Sequence, residues 1–256
     1  TLYKASEHAK SADGASLLVI DEINRGPAVQ IFGGAIVAIE ADKRLAPDGS
    51  ESAKTQWFEI LSPSDGEIIE YALPHHLYIL AAMNQADASV EPLDVAFLRR
   101  WEPYKLLPDS DVLRKHFGIP SGGASIPEKP SSAQDVFEAS VRAWGQVNRR
   151  ISLGRGPEFQ IGHGVLMGQD AAAMDLDMAL AITSKGWAKA RAHVEEVFFG
   201  DVRGVAAVFN AINAPSYHPL KLVETTFADD LRFEIAGPET FGPSNIYDAL
   251  RAIAGE

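Results

Sequence analysis

Cysteine is absent from the 256-residue chain, which excludes disulfides, zinc ribbons and thiol nucleophiles and suits a reducing compartment. A cytoplasmic location is therefore expected. No apolar run approaches the ~20 residues that a membrane helix needs, so no membrane span is expected. The opening Thr1-Leu2-Tyr3-Lys4 has neither the basic start nor the apolar stretch of a signal peptide. Basic residues are scarce: 23 Lys and Arg face 35 Asp and Glu, a net charge of −12. That balance argues against a broad face for gripping nucleic-acid phosphates, although a local basic patch stays open. Contact with DNA is more naturally assigned to another domain or subunit. With 46% apolar and 23% charged residues, the chain is ordinary for a globular protein with one large or two modest domains.

The most informative stretch is Leu17-Leu18-Val19-Ile20-Asp21-Glu22-Ile23-Asn24-Arg25. A short continuous apolar run reads as a strand buried on both faces, as in parallel α/β sheets. Two carboxylates at its C-terminal end sit where open α/β sheets place ligands. An Asp-Glu pair in that position is also a common cap or solvated turn. Its functional reading is a pair in which Asp21 holds Mg²⁺ and Glu22 orients and deprotonates an attacking water.

Along the chain, residues 2–12 predict a helix stopped at Gly14. Pro27 suits a first helical turn with Asn24 as a possible cap, and Val29, Phe32, Ile36 and Ile39 recur at helical spacing toward Asp42-Lys43. Segments 57–61 and 67–73 flank Ser62-Pro63-Ser64-Asp65-Gly66, a hairpin signature. A second buried strand is predicted at 77–82, running into Met83-Asn84-Gln85-Ala86-Asp87. Residues 92–101 predict a short helix closing on Arg99-Arg100, and 104–107 a short third strand. Gly, Pro and Ser mark 118–132 as a linker. Beyond it the pattern is helical: Phe137, Val141, Trp144 and Val147 share one face, and Val205, Val208, Phe209 and Ile212 another. A last helix is predicted at 246–253. Residues 214–245, rich in proline and turn formers, yield no assignment.

In order and context these pieces resemble the AAA+ ATPases, and within them the McrB-type branch and its dynein-related relatives. The resemblance is carried by Val19-Ile20-Asp21-Glu22-Ile23-Asn24-Arg25-Gly26, Ile39-Glu40-Ala41-Asp42-Lys43-Arg44, Met83-Asn84-Gln85-Ala86-Asp87, Leu93-Asp94-Val95-Ala96-Phe97-Leu98-Arg99-Arg100-Trp101 and Phe159-Gln160-Ile161-Gly162-His163. The MoxR branch shares the Asp-Glu-Ile-Asn-Arg piece, so a MoxR-like chaperone ATPase, remodelling its target without a nuclease partner, is an alternative expectation.

The resemblance implies an α/β fold: a partial P-loop AAA+ core over 1–117, a parallel sheet with an inserted hairpin, then a linker at 118–133 and a mostly helical lid over 134–256. It implies that Asp21 is the Mg²⁺ carboxylate of Walker B, Glu22 the general base and Asn84 the sensor 1 amide that holds the attacking water or the γ-phosphate. Arg99 or Arg100 is implied as an arginine finger reaching a neighbour's site. Arg25 is a candidate contact to the nucleotide or a neighbouring subunit, Asp87 a candidate in base selection and His163 a candidate nucleotide-sensing residue of the lid. The implied cofactors are Mg²⁺ and ATP or GTP. The implied assembly is a homo-oligomeric ring, expected to be a hexamer, that drives a partner such as a nuclease.

One element of that family pattern is absent. No G-x-x-x-x-G-K-[ST] occurs and Gly-Lys is missing even as a dipeptide, so the backbone cradle that holds phosphates has no counterpart. About 16 residues precede the first strand, too few for a strand, P-loop, helix and second strand. Two expectations follow. Either the chain is the C-terminal part of a longer motor subunit, which the retained acids and arginines favour, or it is a non-catalytic assembly or adaptor subunit that has lost nucleotide binding.

Overall fold

The computed structural model describes residues 1–11, 13–84, 86, 93–168 and 174–256. They form a mixed α/β protein of two compact units, Thr1–Lys105 and Leu106–Glu256.

The first unit is built from short elements: α1 (Leu2–Lys10), β1 (Ser16–Ile20), a 3₁₀ turn at Ile23–Arg25, α2 (Ala28–Phe32), α3 (Ala35–Ala38), a 3₁₀ turn at Ala41–Lys43, β2 (Phe58–Leu61), β3 (Ile68–Tyr71), β4 (Leu77–Ala81) and α4 (Val95–Leu98). β1 and β4 pair in parallel, from Ser16 opposite Leu77 to Ile20 opposite Ala81. β2 and β3 form the antiparallel hairpin that its turn residues predict.

One face of the β1–β4 pair is covered. Leu18 and Ile79 pack on a cluster formed by Ala9 of α1, Ala35 and Ala38 of α3, Phe58, Tyr71, Leu73 and Leu77. The Tyr71 hydroxyl donates to Glu7 Oε1 at 2.8 Å, and the Lys10 ammonium lies 3.6 Å from the Tyr71 ring centre, so α1 is bolted to the hairpin as well. The other face is open. Leu17, Val19, Tyr78 and Leu80 are 61%, 60%, 57% and 58% exposed. The expectation of a strand buried on both faces is therefore met on one face only, because nothing among the described residues packs over the second.

Two further expectations are corrected. The helical periodicity across residues 27–43 is interrupted at Gly33, whose φ is +49°. A Cβ on Gly34 would stand 2.9 Å from Phe58 Cβ; the glycine pair thus breaks the helix and lets the backbone pass close to the hairpin. Residues 104–107 form no strand, and Tyr104, Leu106 and Leu107 are exposed. An apolar alternating sequence becomes a strand only where a neighbouring backbone completes its ladder.

The second unit has one continuous core. It comprises α5 (Ser110–Phe117), α6 (Ala133–Gly154), α7 (Leu176–Val197), α8 (Val202–Val208), β5 (Lys221–Phe227), β6 (Asp230–Ala236) and α9 (Ile246–Ala254). A capping box between Ser132 and Asp135 starts α6, which lifts one of the costliest steps of helix formation. Phe137, Val141, Trp144 and Val147 are all buried, as their spacing predicts. Leu113 and Phe117 of α5 belong to the same core, as do Ile119 and Ile126 from the Gly/Pro/Ser-rich stretch, and the Phe117 and Phe137 rings stack at 4.4 Å.

Glu138, 2% exposed, locks α5 to α6. Arg114 reaches it with two nitrogens at 2.7 and 3.0 Å and Arg142 with Nε at 2.9 Å. Burial alone would raise the Glu138 carboxyl, but the two guanidinium groups outweigh it and hold it below the ordinary range. β5 and β6 form an antiparallel hairpin in the region that resisted sequence assignment. Its turn is Ala228-Asp229, both at positive φ.

Candidate functional site

The parallel register of β1 and β4 delivers Asp21-Glu22 and Asn84 from the same end of the sheet. The ladder continues past the strands, with the Ala82 N–H donating to Ile20 O at 2.8 Å and the Ile23 N–H to Ala82 O at 3.0 Å. Asn24 then joins the two loops. It is 7% exposed, and its Nδ2 donates to the backbone carbonyl of Asn84 at 3.1 Å. It caps no helix. A buried amide spent on the backbone of the opposite loop fixes the spacing between the acids and Asn84, and this role is invisible without the strand pairing.

Asp21 Oδ1 accepts the Glu22 N–H at 3.0 Å, and Glu22 sits at φ +50°, ψ +49°. A left-handed non-glycine residue costs on the order of 1 kcal/mol and persists where neighbouring structure enforces it. Here the Ile23 ladder bond and buried Asn24 do so. Arg25 Nε lies 3.5 Å from Glu22 Oε2. Asn84 Oδ1 accepts from the Ala86 N–H at 3.0 Å, which orients its amide. Asp21, Glu22 and Asn84 are exposed, open to a ligand.

Among the described residues no group of three or more His, Asp and Glu side chains could cage a metal ion. Asp21 and its neighbour instead offer hard carboxylate oxygens in the open. That donor set fits Mg²⁺, which keeps several waters and binds through one or two carboxylates plus phosphate oxygens.

Just beyond the acids, Ile23 enters a small cluster with Ala28, Ile39 and Phe97, packed against Phe32, Ile36 and Trp101. The Phe32, Phe97 and Trp101 rings lie 5.6–6.4 Å apart. α4, capped by Asp94 on the Ala96 N–H at 2.6 Å, thereby rests on the turn that carries the acids. The two arginines at its end differ. Arg99 is exposed, whereas Arg100 places Nε 3.1 Å from Glu40 Oε1.

His163 lies in the second unit, in a 3₁₀ turn over His163–Val165. Asn148 holds the segment before it by both backbone groups: Nδ2 donates to Ile161 O at 2.9 Å and Oδ1 accepts the Ile161 N–H at 2.7 Å. The Trp144 indole donates to the same carbonyl at 3.1 Å, and His163 Nδ1 accepts from the Asp109 N–H at 3.4 Å. Asn148 escaped sequence reading, and Trp144 was read only as part of an apolar face, because a polar group inside such a face shows its purpose only once its partner is known. Asp87 lies outside the described residues.

No family model matches the chain. Over 152 residues it is 28% identical to the EcoKMcrB subunit of a type IV methyl-directed restriction enzyme from Escherichia coli (strain K12). That alignment covers 57% of this chain and 29% of the relative. Over 85 residues it is 34% identical to component YdiS of the type II restriction enzyme BsuMI from Bacillus subtilis (strain 168), covering 33% of this chain and 25% of the relative. The likeness is to components of restriction enzymes, one of them an McrB subunit. The matches span less than a third of the length of either relative. Among the described residues no helix is long and apolar enough to cross a membrane.

Proposed function

We propose that this chain carries the acid, sensor and arginine part of a nucleoside-triphosphate hydrolase, the AAA+ motor subunit of an McrB-type restriction system. The carrying observation is the parallel β1–β4 pair, with Asp21-Glu22 and Asn84 at one end and Asn24 bridging them. The similarity to restriction components supports the same reading.

The fold in this reading is a partial AAA+ core followed by a helical lid. The phosphate-binding strand then adds in parallel to the edge of β4 that is unpaired among the described residues. Its helix covers the open face of Leu17, Val19, Tyr78 and Leu80, since parallel sheets are stable when both faces are covered. Asp21 would hold Mg²⁺, which would supply positive charge against the phosphates. Glu22 takes a proton from a water whose oxygen attacks the γ-phosphorus while the bond to the β–γ bridging oxygen breaks. Asn84 holds that water or the γ-phosphate without adding negative charge, and an arginine of α4 meets the phosphate held by a neighbouring subunit. Arg25 stands beside Glu22 for a nucleotide or neighbour contact. Asp87 and His163 are assigned to base selection and nucleotide sensing. The nucleotide is ATP or GTP. The assembly is a homo-oligomeric ring, acting in the cytoplasm with a nuclease partner and reaching DNA through another domain or subunit.

The test is Glu22→Gln in the complete protein. Binding of Mg²⁺-nucleotide is expected to survive while turnover falls by about 10²-fold or more, the usual worth of a general base. Normal turnover by that variant refutes the assignment. A second reading, an adaptor subunit that keeps the AAA+ surface for packing alone, draws on the missing Gly-Lys cradle. It predicts that the assembled complex is indifferent to Glu22→Gln.

A further inference from the structure

The adjacent arginines at the end of α4 are not equivalent. Arg100 is spent inside its own chain. Its side chain is 9% exposed, and its Nε approaches Glu40 Oε1 to 3.1 Å as an ion pair without hydrogen-bond alignment. Its Nη1 donates back to the Ala96 carbonyl of the same helix. Glu40 follows buried Ile39, which shares the cluster of Ile23 and Phe97, so the pair spans the same packing that joins α4 to the acid turn. Arg99 is exposed, and its side chain makes no ion pair or hydrogen bond among the described residues.

The geometry follows from helix arithmetic. Arg99, the C-cap, keeps helical dihedrals, and Arg100 follows in a turn bonded to Phe97 O at 3.2 Å. Successive side chains of such a tight right-handed turn diverge by roughly 100°, so with Arg100 pinned against Glu40, Arg99 projects in a different direction. A guanidinium that must meet a phosphate across a subunit boundary needs a fixed base and a free head. Arg99 has both: its backbone N–H bonds Val95 O at 3.1 Å, and its charge is unspent. Arg100 has neither reach nor free charge, because its own side chain is 9% exposed and leaving Glu40, 33% exposed, would unpair both charges.

We propose that Glu40 and Arg100 form a positioning pair for α4, and that Arg99 alone is the cation offered to a phosphate held by a second subunit. This rests on the hydrolase reading above and divides between two residues a role that the sequence leaves undecided.

The experiment measures steady-state ATP and GTP hydrolysis, with kcat and KM, and Tm on the same preparations of the assembled complex. Arg99→Ala is expected to lower kcat by about 10³-fold, the lower end of an arginine finger's usual worth, with Tm unchanged. Arg100→Ala and Glu40→Ala are each expected to lower Tm by on the order of 5 °C, as loss of one partner of a partly buried ion pair does. Well below Tm, Glu40→Ala should still lower kcat more than it changes KM, because Arg99 then rests on a loosened helix. The exchange Glu40→Arg with Arg100→Glu restores both Tm and kcat.

The proposal is overturned if Arg100→Ala abolishes turnover with Tm intact and the exchange rescues nothing, or if Arg99→Ala is fully active. Full activity of both arginine variants with Glu22→Gln inactive removes the finger and leaves the hydrolase. Full activity of Glu22→Gln as well removes the hydrolase reading itself.

Discussion

The two units of this chain solve the packing problem differently. Leu106–Glu256 closes on itself: the long helices α6 and α7, with α5, α8 and α9, enclose a core that includes Trp187, Phe209, Leu250 and Ile253. Thr1–Lys105 does not. It divides its buried residues between two small clusters and leaves four apolar side chains of its parallel sheet in solvent. Yet every carboxylate, amide and arginine of the proposed chemistry except His163 and the undescribed Asp87 belongs to this sparser unit. The proposed chemistry thus lies in the unit whose sheet is half covered among the described residues, and the larger continuous core in the other.

The contrast can be broken by mutation. The largest effect is expected at Glu22, where Gln removes turnover of the complete protein and leaves its fold alone. Next is the core of the second unit. Trp187 is fully buried and its indole donates to Ser140 Oγ at 2.8 Å, so Trp187→Ala should cost about 3–5 kcal/mol, read by denaturant unfolding. Leu80→Ala on the open face should cost well under 1 kcal/mol in the isolated chain, as exposed substitutions do. In the complete protein the same variant should destabilise markedly if the face is covered there; equal small costs in both settings contradict a covered face.

Close to the Trp187 cost is the loss from Glu138→Ala, about 3 kcal/mol, since it strands Arg114 in a buried site. It should lower the unfolding free energy of the second unit without touching the first.

The smallest effect is a pH dependence. His218 is 2% exposed; its Nε2 lies 2.8 Å from Phe209 O and its Nδ1 accepts from the Leu220 N–H at 3.2 Å. Burial pushes its pKa below the usual 6.5, with nearby Arg150 adding to the shift. The unfolded chain takes up the proton first, so the stability gained from the neutral ring is present above pH 6.5 and is lost as pH falls from there toward the folded pKa. Glu138, also depressed, adds a loss that begins below its ordinary value of 4.5. Thermal melts from pH 8 to pH 4 should show Tm of the second unit falling in both windows, and replacing His218 should flatten the first.

Much of the site was legible because its residues sit at the ends of apolar runs. Leu17–Ile20 announced a strand with acids behind it, and 77–82 announced its partner. Ser62–Gly66 announced the β2–β3 hairpin through turn chemistry alone. What escaped depends on contacts between distant residues. Asn24 and Asn84 are 60 positions apart, and nothing local marks Asn24 as a strut. Glu40 looks like any surface acid until Arg100 is beside it. The break at Gly33 hid behind apolar spacing that runs on as though the helix continued. The β5–β6 hairpin turns through Ala228-Asp229, which lacks the Asn-Gly or Asp-Gly signal of such turns. The apolar segment at 104–107 read as a strand because periodicity reports which face is apolar and not whether a neighbour exists to pair with it.

The central claim is that these residues form half of a hydrolytic site and act once a phosphate cradle joins them. Calorimetric titration of Mg²⁺-ATP and Mg²⁺-GTP, into residues 1–256 alone and into the complete protein, tests it most directly. Micromolar binding of one nucleotide is expected for the complete protein and none for the isolated chain. Micromolar binding by the isolated chain would contradict it, because Asp21, Glu22 and Asn84 would then be holding a nucleotide without the cradle that the account requires.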